Sequence, residues 1–543
     1  MRLKRTAAGA AILLSAAVAV THAGAVTHPG AVTHPGAVTH AGAATHPGAV
    51  TRAGAVPAAA TPPTAAPVSP DVVVNVGSAP VGRPVAPGFL GWSFEFPAVR
   101  HYTGPDPRAI NPVLVQLIRN LAPGQSPVLR IGGNSTDATW FPAAHVKRTP
   151  GIHNTITPSW LATTRALAQQ TGGRLILGLN LKLNSGAEIA AEAQAFLTGI
   201  GAQRIAALEI GNEPELYPIA PWYYAGPSQK AVYSRGRGFN FPAYVREVSR
   251  FVKLLGSSPL AGPATNSQVW LSKLPAVFAA EPGLRMVTYH RYPLIHCFTK
   301  PGDPLYPTIP NLLAPVSSRG LLQGVTPTIA LAHRHGVVFR LDELNSVACK
   351  GQWGVSNTFA SALWALDTLF SMVQGGVDGV NIHTLPQSAY RLFTTQEVNG
   401  RWVAGVNPEY YGLLMFTRAA PPGSRLLPVS TPANADVRAW ATRSSTGVIH
   451  VVLINDSATT AHVVGVPAPG PAAPGVLENL TAPSLSATGG VTLAGQRFAA
   501  ETSTGELNGP QRVVSVAPAE GQYLVNLAPA SAAMLTLAPP SGR

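Results

Sequence analysis

Short apolar segments alternate with amphipathic segments along the middle of the chain. The apolar segments have the length and the Val, Ile and Leu content of buried strands, and the segments between them repeat apolar residues at helical spacing. The predicted strands are residues 90–96, 128–132, 175–181, 207–211, 260–263, 286–292, 337–341 and 379–383. Predicted helices include residues 112–120, 158–170, 187–198, 242–255 and 356–373. Eight strands separated by helices predict an α/β fold, a (β/α)8 TIM barrel over residues 88–414.

The pattern changes at about residue 415, where strand-forming residues alternate with Gly, Pro, Asn and Ser. Predicted strands here are residues 437–441, 448–454, 461–466, 522–527 and 533–537. This pattern of short strands and turn residues predicts an accessory antiparallel β-sandwich. The strand-like residues 72–76 precede the barrel and are expected to pair with that domain, which is therefore assigned to residues 71–87 plus 415–543.

The first 25 residues resemble a secretory signal peptide. They combine a basic start, an apolar run from residue 8 to residue 20 and small residues suited to cleavage at Ala23 and Ala25. The run is shorter than the roughly 20 residues of a membrane span. We therefore predict a secreted, extracellular protein, either free or associated with the cell wall, with no transmembrane segment.

Residues 26–70 repeat a hexapeptide, Gly-Ala-Val-Thr-His-Pro/Ala, and continue as a Pro/Ala-rich run. Small residues cannot form a packed core, so this tract is predicted to be a low-complexity linker. Metal binding by its regularly spaced histidines is the alternative.

The number of cysteines limits the possible disulfides, and the net charge limits the kinds of binding partner. Cys297 and Cys349 are the two cysteines, and in an exported protein such a pair suggests one disulfide, with two unrelated thiols as the alternative. The formal net charge of +14 could attract acidic polymers such as uronate-containing polysaccharides. The arginines are scattered, without a basic run interleaved with aromatics, so nucleic-acid binding is not predicted.

Two predicted barrel strands are followed by a glutamate. Asn212, Glu213 and a proline follow the fourth strand, and Glu343 follows the seventh. Substrate sites of such barrels lie at the carboxyl ends of the strands, so these side chains can face one another across one pocket. A retaining glycosidase needs such a pair, with one carboxylic acid protonating the leaving oxygen and a carboxylate about 5–5.5 Å away attacking the anomeric carbon. We predict Glu213 as the acid/base and Glu343 as the nucleophile; a structural salt bridge is the alternative for either residue alone.

Neighbouring carboxylates have other expected roles. Glu209, four residues before Glu213, is expected to pair with an arginine inside the barrel. Glu215, beyond the proline, is expected to be a solvated loop residue. Asp342 is expected to face the helices, because side chains alternate along a strand and Glu343 faces the pocket.

Five short motifs together carry a resemblance to a known family: residues 91–95, 130–137, 211–215, 289–293 and 342–346. From about residue 71 to its end, the chain resembles glycoside hydrolase family 79, the β-glucuronidase and heparanase-like group. The resemblance implies a retaining mechanism with the acid/base Glu213 on strand four and the nucleophile Glu343 on strand seven. These roles agree with those derived from the carboxylates alone.

The resemblance also implies sugar-binding residues. Glu95 and Asp137 are expected to hold sugar hydroxyls, because a carboxylate can accept several hydrogen bonds; a buried ion pair for Glu95 and loop bracing for Asp137 are the alternatives. Tyr292 is expected to bond the nucleophile or the sugar ring, or simply to pack, and Tyr390 is expected near the substrate carboxylate. The other predicted substrate contacts are Asn134, Asn212, which is expected to bond the sugar 2-hydroxyl, His290 and Asn345.

One departure from the family concerns the sugar carboxylate. Characterised glucuronidases of this group carry a tyrosine shortly after the nucleophile, whereas residues 345–351 contain none. Cys349 in this stretch could instead be tied to Cys297 and brace the loops over the pocket. Lys350 offers a positive charge, with an ordinary solvated lysine as the alternative.

The predicted function is a secreted retaining β-glycosidase that removes a terminal β-linked uronic acid from a carbohydrate substrate. A retaining exo-β-glycosidase for a neutral sugar and a wall-associated carbohydrate-binding protein without catalysis are the alternatives. A metal-dependent hydrolase is disfavoured because the sequence has no His-Glu-x-x-His motif. The nucleophile elbow of α/β-hydrolases and a phosphate-binding loop are also missing. Neither a metal nor another cofactor is expected, and the sequence sets no oligomeric state.

Overall fold

The computed structural model describes residues 69–142, 145–432, 436–468 and 473–539. The predicted signal peptide, residues 1–25, lies outside this part of the chain, as does the predicted linker except for its last two residues. Within the described ranges, none of the helices combines the length and the hydrophobicity that a membrane span requires.

Eight parallel strands close into a barrel. In chain order, β1 to β8 are Leu90–Glu95, Val128–Gly132, Arg174–Leu179, Ile205–Ile210, Leu260–Thr265, Leu284–Arg291, Val338–Leu344 and Gly379–His383. Each strand pairs in parallel with the next, and β8 pairs with β1. The predicted (β/α)8 barrel is confirmed.

The strand bounds agree with the sequence prediction in β2 and β8 and differ at the ends of the others. The difference that matters is in β7, which continues to Leu344 and so contains Asp342 and Glu343. Two adjacent carboxylates are untypical of a strand interior, but both are buried here. The nucleophile candidate is therefore part of the barrel wall rather than of the loop beyond it.

Helices surround the barrel, and several begin with a capped turn and a proline in the first positions. The side chain of Asn111 accepts hydrogen bonds from the backbone N–H groups of Val113 and Leu114. The α-helices are Phe96–Thr103, Pro112–Asn120, Pro158–Thr171, Gly186–Phe196, Phe241–Val252, Gln268–Leu271, Leu274–Ala280, Ile309–Leu313, Thr326–Arg334, Phe359–Gln374 and Pro408–Ala419. Shorter 3₁₀ and π turns are Gly133–Ala138, Leu197–Gly201, Ala202–Arg204, Pro214–Leu216, Pro315–Ser317 and Arg319–Leu322.

Within the described ranges, most strands after the barrel belong to a larger and a smaller β-sheet. The larger contains, in spatial order, Arg425–Leu427, Val437–Arg443, Ile449–Asn455, Ser531–Leu537, Gly475–Thr481 and Thr492–Leu493, with Val514–Val516 also paired to Gly475–Thr481. The smaller contains Val72–Val73, His462–Pro467 and Gln522–Leu527.

Apolar side chains of both sheets, including Val451, Leu535, Val464 and Val525, lie in one core cluster, so the sheets pack face to face as a sandwich. The strand before the barrel joins this domain, as expected. Val72–Val73 runs parallel to His462–Pro467, so one pair departs from the predicted antiparallel order. Asn75–Val76 pairs with Val429–Ser430. The domain limits stay a prediction.

Short strand pairs order several loops that follow the barrel strands. They are Thr139–Trp140 with Asn154–Thr155, Tyr223–Ala225 with Lys230–Val232, Leu294–Ile295 with Val347–Ala348, and Phe393–Val398 with Arg401–Val406. The loops after β6 and β7 are joined a second time by the disulfide between Cys297 and Cys349, which confirms the expected pairing.

Candidate active site

Glu213 and Glu343 meet at the carboxyl end of the barrel. One carboxylate oxygen of each and one ring nitrogen of His290 all lie within 4.8 Å of one another. Glu213 is 3% exposed and Glu343 8% exposed, so both residues are largely shielded from solvent. The two glutamates that the sequence places after separate strands therefore share one site.

An unusual backbone conformation orients Glu213. The residue has φ 45° and ψ 57°, in the left-handed region, three residues beyond the end of β4. Its backbone N–H donates to the carbonyl oxygen of Ala264 at 2.7 Å, and Pro214 starts a short 3₁₀ turn behind it. Non-glycine residues in this region are strained and cluster at functional sites. Nδ1 of His290 lies 3.0 Å from Oε1 of Glu213, which fixes the carboxyl group from the side of β6.

A bulge in β7 orients Glu343. The register with β6 slips between the pairs Thr288–Arg340 and His290–Glu343, and a slip relative to β8 occurs over the same stretch of β7. Such a bulge adds a residue on one strand and redirects the side chains around it. Glu343 consequently points into the barrel mouth, where its Oε2 accepts a bond of 2.6 Å from Nη1 of Arg130.

Nearby groups keep Glu343 ionised. Burial alone acts to raise the pKa of this carboxyl. The imidazoles of His383 and His290, the charge of Arg130 and a hydrogen bond from the Tyr292 hydroxyl outweigh burial and hold the pKa well below its ordinary value. An ionised carboxylate is what nucleophilic attack on an anomeric carbon requires.

Arg130 lies at the centre of the buried network. Its Nε is 2.9 Å from Oε2 of Glu209 and 3.1 Å from Oδ2 of Asp342, and its Nη2 donates to Oδ1 of Asn212 at 2.9 Å. The side chains of Arg130, Glu209 and Asp342 are completely buried. A buried carboxylate is tolerated only when it is paired, and one guanidinium pairs with several here. The expected arginine partner of Glu209 is therefore Arg130.

The expected direction of Asp342 is wrong. Its carboxyl lies inside the barrel beside Arg130, with Oδ1 3.6 Å from Nε2 of His290, rather than against the helices. Side chains alternate between the two faces of β7 from Arg340 to Asp342. The bulge then turns the side chain of Glu343 into the barrel as well, so Asp342 and Glu343 lie on the same face. Burial and the negative charge of Glu209 raise the pKa of Asp342, while the pKa of Glu209 is lowered because the charge of Arg130 outweighs burial. The charge of Arg130 therefore favours the ionised form of Glu209, while burial and the charge of Glu209 disfavour that of Asp342.

The expectation that Glu215 is solvated is also wrong. The side chain is partly buried, and its Oε1 accepts a bond of 2.7 Å from the backbone N–H of Asn266. Burial and the charge of Glu213 raise the pKa of Glu215 to about 7. The turn after Pro214 folds back against β5, which shields this carboxyl.

Predicted substrate contacts divide into two groups. In the first, His290 and Asn345 have no exposed surface and Asp137 is 1% exposed. Both oxygens of Asp137 accept hydrogen bonds, from the backbone of Leu181 and Lys182 and from Tyr217, which matches the loop-bracing alternative.

The other two residues of this group also bond to protein. His290 contacts Glu213 and Arg130. The Nδ2 of Asn345 donates to the carbonyl oxygens of His383 and Tyr390. Asp137, His290 and Asn345 therefore all bond to protein groups around the site, and the direct substrate contacts expected of them stay predictions.

The second group lies at the mouth. Asn134 is exposed and its Oδ1 accepts a bond of 3.3 Å from Nδ2 of Asn212, beside Glu213 in sequence. Glu95 is 8% exposed, and its oxygens accept the backbone N–H groups of Asn134 and Ser135. Oε1 of Glu95 also lies 3.9 Å from Nε2 of His383. Glu95 therefore lies at the mouth, as a sugar-binding residue would, and also has the partner that the buried-ion-pair alternative requires.

Two tyrosines flank Glu343. The Tyr292 hydroxyl donates to Oε1 of Glu343 at 2.9 Å, and the rings of Tyr292 and Tyr390 have centroids 6.2 Å apart. Burial and the charge of Glu343 raise the pKa of both phenols, so both stay protonated and can donate. Lys350, in contrast, is exposed, and no ion pair of its side chain occurs within the described ranges. Lys350 therefore matches the solvated alternative.

Two residues with important contacts were assigned no role from the sequence. Arg130 lies within one of the family-like motifs, and its signal is a single charge in the middle of an apolar strand, Val128–Gly132. His383 ends β8 and bonds Ser93 through Nδ1 at 3.0 Å. A histidine at the end of a barrel strand is the corresponding signal.

Among the residues that the structure describes, two groups of carboxylates and a histidine have the spacing of metal ligands. They are Glu209 with His290 and Asp342, and Glu213 with His290 and Glu343. Arg130 contacts a member of each group, at Glu209 and at Glu343. Its guanidinium already supplies the positive charge that these carboxylates need, and a cation at either place would be repelled by it.

No protein-family model matches the chain. Two curated relatives are β-glucuronidases. That of Aspergillus niger is 26% identical over 409 residues, which cover 68% of this chain and 72% of the relative. That of Neurospora crassa is also 26% identical over 409 residues, covering 67% of this chain and 68% of the relative.

Solved structures of glycosidases share the fold. A 4-O-α-L-rhamnosyl-β-D-glucuronidase from Fusarium oxysporum 12S has a TM-score of 0.67 at 20% identity, covering 86% of this chain and 100% of that one. A GH51 arabinofuranosidase from Xanthomonas axonopodis pv. citri has a TM-score of 0.63 at 15% identity, with the same coverage. The structures support the barrel with its accessory domain. Together with the sequence relatives, they identify the chain as a glycoside hydrolase.

Proposed function

We propose that this glycoside hydrolase is an exported, retaining β-glucuronidase of glycoside hydrolase family 79. Glu343 acts as the nucleophile and Glu213 as the acid/base. The observation that carries the proposal is the approach of oxygens from the two carboxyl groups to within 4.8 Å at the ends of β4 and β7. That separation matches the close carboxyl pair of retaining enzymes and leaves little room for the intervening water that inverting enzymes need.

The first step replaces the bond to the leaving group. A carboxylate oxygen of Glu343 bonds to the anomeric carbon while the bond from that carbon to the aglycone oxygen breaks. Glu213 gives its proton to the departing oxygen. Arg130 and Tyr292 hold the two oxygens of Glu343 at 2.6 and 2.9 Å, so the nucleophile keeps one orientation during attack.

The second step releases the sugar. Glu343 has lost its negative charge in the ester, and Glu213, now ionised, takes a proton from water as that water attacks the anomeric carbon. The bond between the sugar and Glu343 breaks and the carboxylate returns to its contacts with Arg130 and Tyr292. Two inversions leave the anomeric configuration unchanged. His290 keeps the carboxyl of Glu213 in place through both steps by its contact at 3.0 Å.

Support for a uronic acid comes from the two β-glucuronidase relatives and from Tyr390. The Tyr390 ring lies beside that of Tyr292, where a phenol can donate to a carboxylate of the bound sugar. The loop after the nucleophile carries no tyrosine, and Lys350 is exposed. Recognition of the sugar carboxylate would thus depend more on Tyr390 than it does in the resembled enzymes. Export is supported by the leader-like first 25 residues together with the disulfide.

The decisive experiment compares aryl β-glucuronide, β-glucoside and β-xyloside as substrates of the wild-type chain. We expect the glucuronide to have the highest kcat/KM, and NMR of the first product should show the β-anomer. Tyr390→Phe should lower kcat/KM for the glucuronide more than for any neutral glycoside. Cleavage of neutral sugars alone would overturn the glucuronidase assignment, and an α-anomer as first product would overturn retention.

A further inference from the structure

Two hydrogen bonds fasten the turn of residues 213–216 to the end of β5. The backbone N–H of Glu213 donates to the carbonyl oxygen of Ala264 at 2.7 Å, and the backbone N–H of Asn266 donates to Oε1 of Glu215 at 2.7 Å. The two bonds run in opposite directions and lie two residues apart on both segments. The turn is therefore held at two points, and the second of them is the side chain of Glu215.

The backbone at this junction is strained on both segments. Glu213 and Ala264, which the first bond joins, have φ of 45° and 51°, both in the left-handed region. Strained residues other than glycine persist only where the surrounding structure holds them. The backbone N–H of Ala264 donates to the hydroxyl of Thr288 in β6 at 3.0 Å, which fixes β5 from its other side. On the side of the turn, the bond to Glu215 helps to hold Glu213 in its strained conformation.

The carboxyl group of Glu215 is also coupled electrostatically to that of Glu213. Burial raises the pKa of Glu215, and the negative charge of Glu213 raises it further, to about 7. Repulsion between two carboxylates acts on both of them, so an ionised Glu215 favours the protonated form of Glu213. A glycosidase acid must carry its proton when the bond to the leaving group breaks. Glu215 therefore acts on the same proton that the proposed first step consumes.

The other titratable groups that face Glu215 are phenols. Tyr289 faces it from β6 and Tyr244 from the helix Phe241–Val252, and burial raises the pKa of both phenols above the ordinary value of 10. Both therefore stay protonated over the pH range in which Glu215 titrates. Charged and titratable neighbours of Glu213 that a substitution of Glu215 leaves in place are His290, Glu343 and Lys182.

We propose that Glu215 is a positioning residue for the acid/base: its carboxyl group fastens the turn that carries Glu213 to β5, and its charge keeps the proton on Glu213 until the leaving oxygen takes it. The inference rests on the proposed role of Glu213 and adds the group that supports it. Once Glu213 has given up its proton, the same repulsion makes it a stronger base toward the attacking water. Glu215 acts through Glu213, and no bond forms or breaks at Glu215 itself.

The test compares Glu215→Gln and Glu215→Ala with the wild type in the full chain, on a dinitrophenyl and an alkyl β-glucuronide. Glutamine keeps an oxygen that can accept the N–H of Asn266 but removes the charge. The basic limb of its kcat/KM profile, where the acid loses its proton, should move to lower pH by about one unit, as expected for loss of a nearby like charge. Alanine removes the oxygen as well. Its kcat/KM should fall about tenfold for the alkyl aglycone, which needs the proton, and little for the dinitrophenyl aglycone.

Glu281→Gln is the matched control. Glu281 is also a buried glutamate, 3% exposed, and burial raises its pKa to about 8. It lies just before β6 begins, away from the carboxyl ends of the strands, so its pH profile should coincide with that of the wild type.

Two results would overturn the inference: a Glu215→Gln profile that keeps the basic limb of the wild type, or a Glu215→Ala defect that is equal on both aglycones. A carboxylate with a merely structural role would give both. Glu215→Gln keeps the test valid if the alanine variant is unstable. The proposed function stands in these cases as long as Glu213→Gln still loses more on the alkyl aglycone. An equal loss on both aglycones in Glu213→Gln would instead refute the acid role, and the inference with it.

Discussion

The hydroxyl of Tyr292 donates a hydrogen bond of 2.9 Å to Oε1 of Glu343. Tyr292 follows β6 and Glu343 lies in β7, so the contact joins the ends of two neighbouring strands. The bond is made to the ionised carboxylate and favours it. Burial works in the opposite direction, and the pKa of Glu343 is low because this bond and the surrounding positive charges together outweigh burial.

Tyr292→Phe should impair the enzyme most at acidic pH. Without the phenol, the pKa of Glu343 rises, so a larger fraction of the enzyme carries a protonated nucleophile at a given low pH. We expect the acidic limb of the kcat/KM profile to move to higher pH and kcat/KM at neutral pH to fall about tenfold. The measurement is the pH profile with an aryl glycoside. A profile that keeps its shape would show that the bond does not set the ionisation of Glu343.

Tyr523→Phe is the control for this change. Its hydroxyl donates to the carbonyl oxygen of Ala473 at 2.7 Å in the accessory domain. The substitution removes the same hydroxyl and a bond of the same kind, away from the catalytic groups. It should leave the acidic limb where the wild type has it.

Asp342→Asn should make stability less dependent on pH. The pKa of Asp342 is raised in the fold by burial and by Glu209, so the folded protein binds this proton more tightly than the unfolded chain. The stability that the proton contributes is fully present below the unfolded value of 3.8 and is lost as the pH rises toward the folded value. Asparagine needs no such proton. The melting temperature should therefore change less between pH 5 and pH 8 in the variant than in the wild type.

Asp106→Asn, at a partly exposed surface aspartate, is the comparison for that experiment. It should reproduce the pH dependence of the wild type. If Asp342→Asn keeps the pH dependence of the wild type and is less stable at every pH from 5 to 8, Asp342 is ionised in the fold and needed there as a charge.

The barrel and the meeting of Glu213 with Glu343 could be predicted because they depend on local signals. Apolar runs separated by amphipathic segments define the strands, and the Asn-Glu-Pro sequence around Glu213 marks the end of β4. The position of Glu343 near the end of β7 then follows from the fold. What joins the two glutamates in space is barrel closure, which the count of eight strands already implies.

The contacts around the pair could not be predicted in the same way. Strand alternation predicts opposite faces for Asp342 and Glu343, and the bulge that gives them one face leaves no pattern in the sequence. Glu215 follows a proline in a loop, which is typical of a solvated residue, and its burial depends on where β5 lies. A single arginine in an apolar strand indicates that Arg130 has acidic partners, but it does not identify them. The fold places Glu209, Asp342 and Glu343 beside it.

Replacing Cys297 and Cys349 together by serine should loosen the mouth of the site. The disulfide closes a loop with a sequence separation of 52 residues and lies next to the pair Leu294–Ile295 with Val347–Ala348. We expect a loss of about 2–4 kcal/mol in the free energy of unfolding, a higher KM and faster proteolysis of the loop after β6. A reductant should give the wild type the melting temperature of the variant and leave the variant unchanged. Two titratable thiols in the oxidised wild type would contradict the bridge.

The roles of Glu213 and Glu343 can be separated by the products that their variants form. Glu343→Ala removes the proposed nucleophile and should lower turnover by about 10⁴-fold or more, as expected for loss of a covalent catalyst, and Glu343→Gln should do the same. Azide that enters the vacated space in Glu343→Ala attacks from the side of the missing carboxylate and should give the α-glycosyl azide. Glu213→Ala still forms the glycosyl-enzyme on Glu343, so azide should then attack that ester and give the β-glycosyl azide.

The leaving group provides the second half of this test. Glu213→Gln cannot protonate the departing oxygen, so its defect should be small for a dinitrophenyl aglycone, which leaves as an anion, and large for an alkyl aglycone, which needs the proton. Glu343→Gln should be equally inactive toward both, because attack on the anomeric carbon is needed whatever the aglycone. The slope of log kcat/KM against the pKa of the leaving group measures the difference. An equal loss on every aglycone in Glu213→Gln would exclude Glu213 as the acid and leave it a positioning residue beside His290.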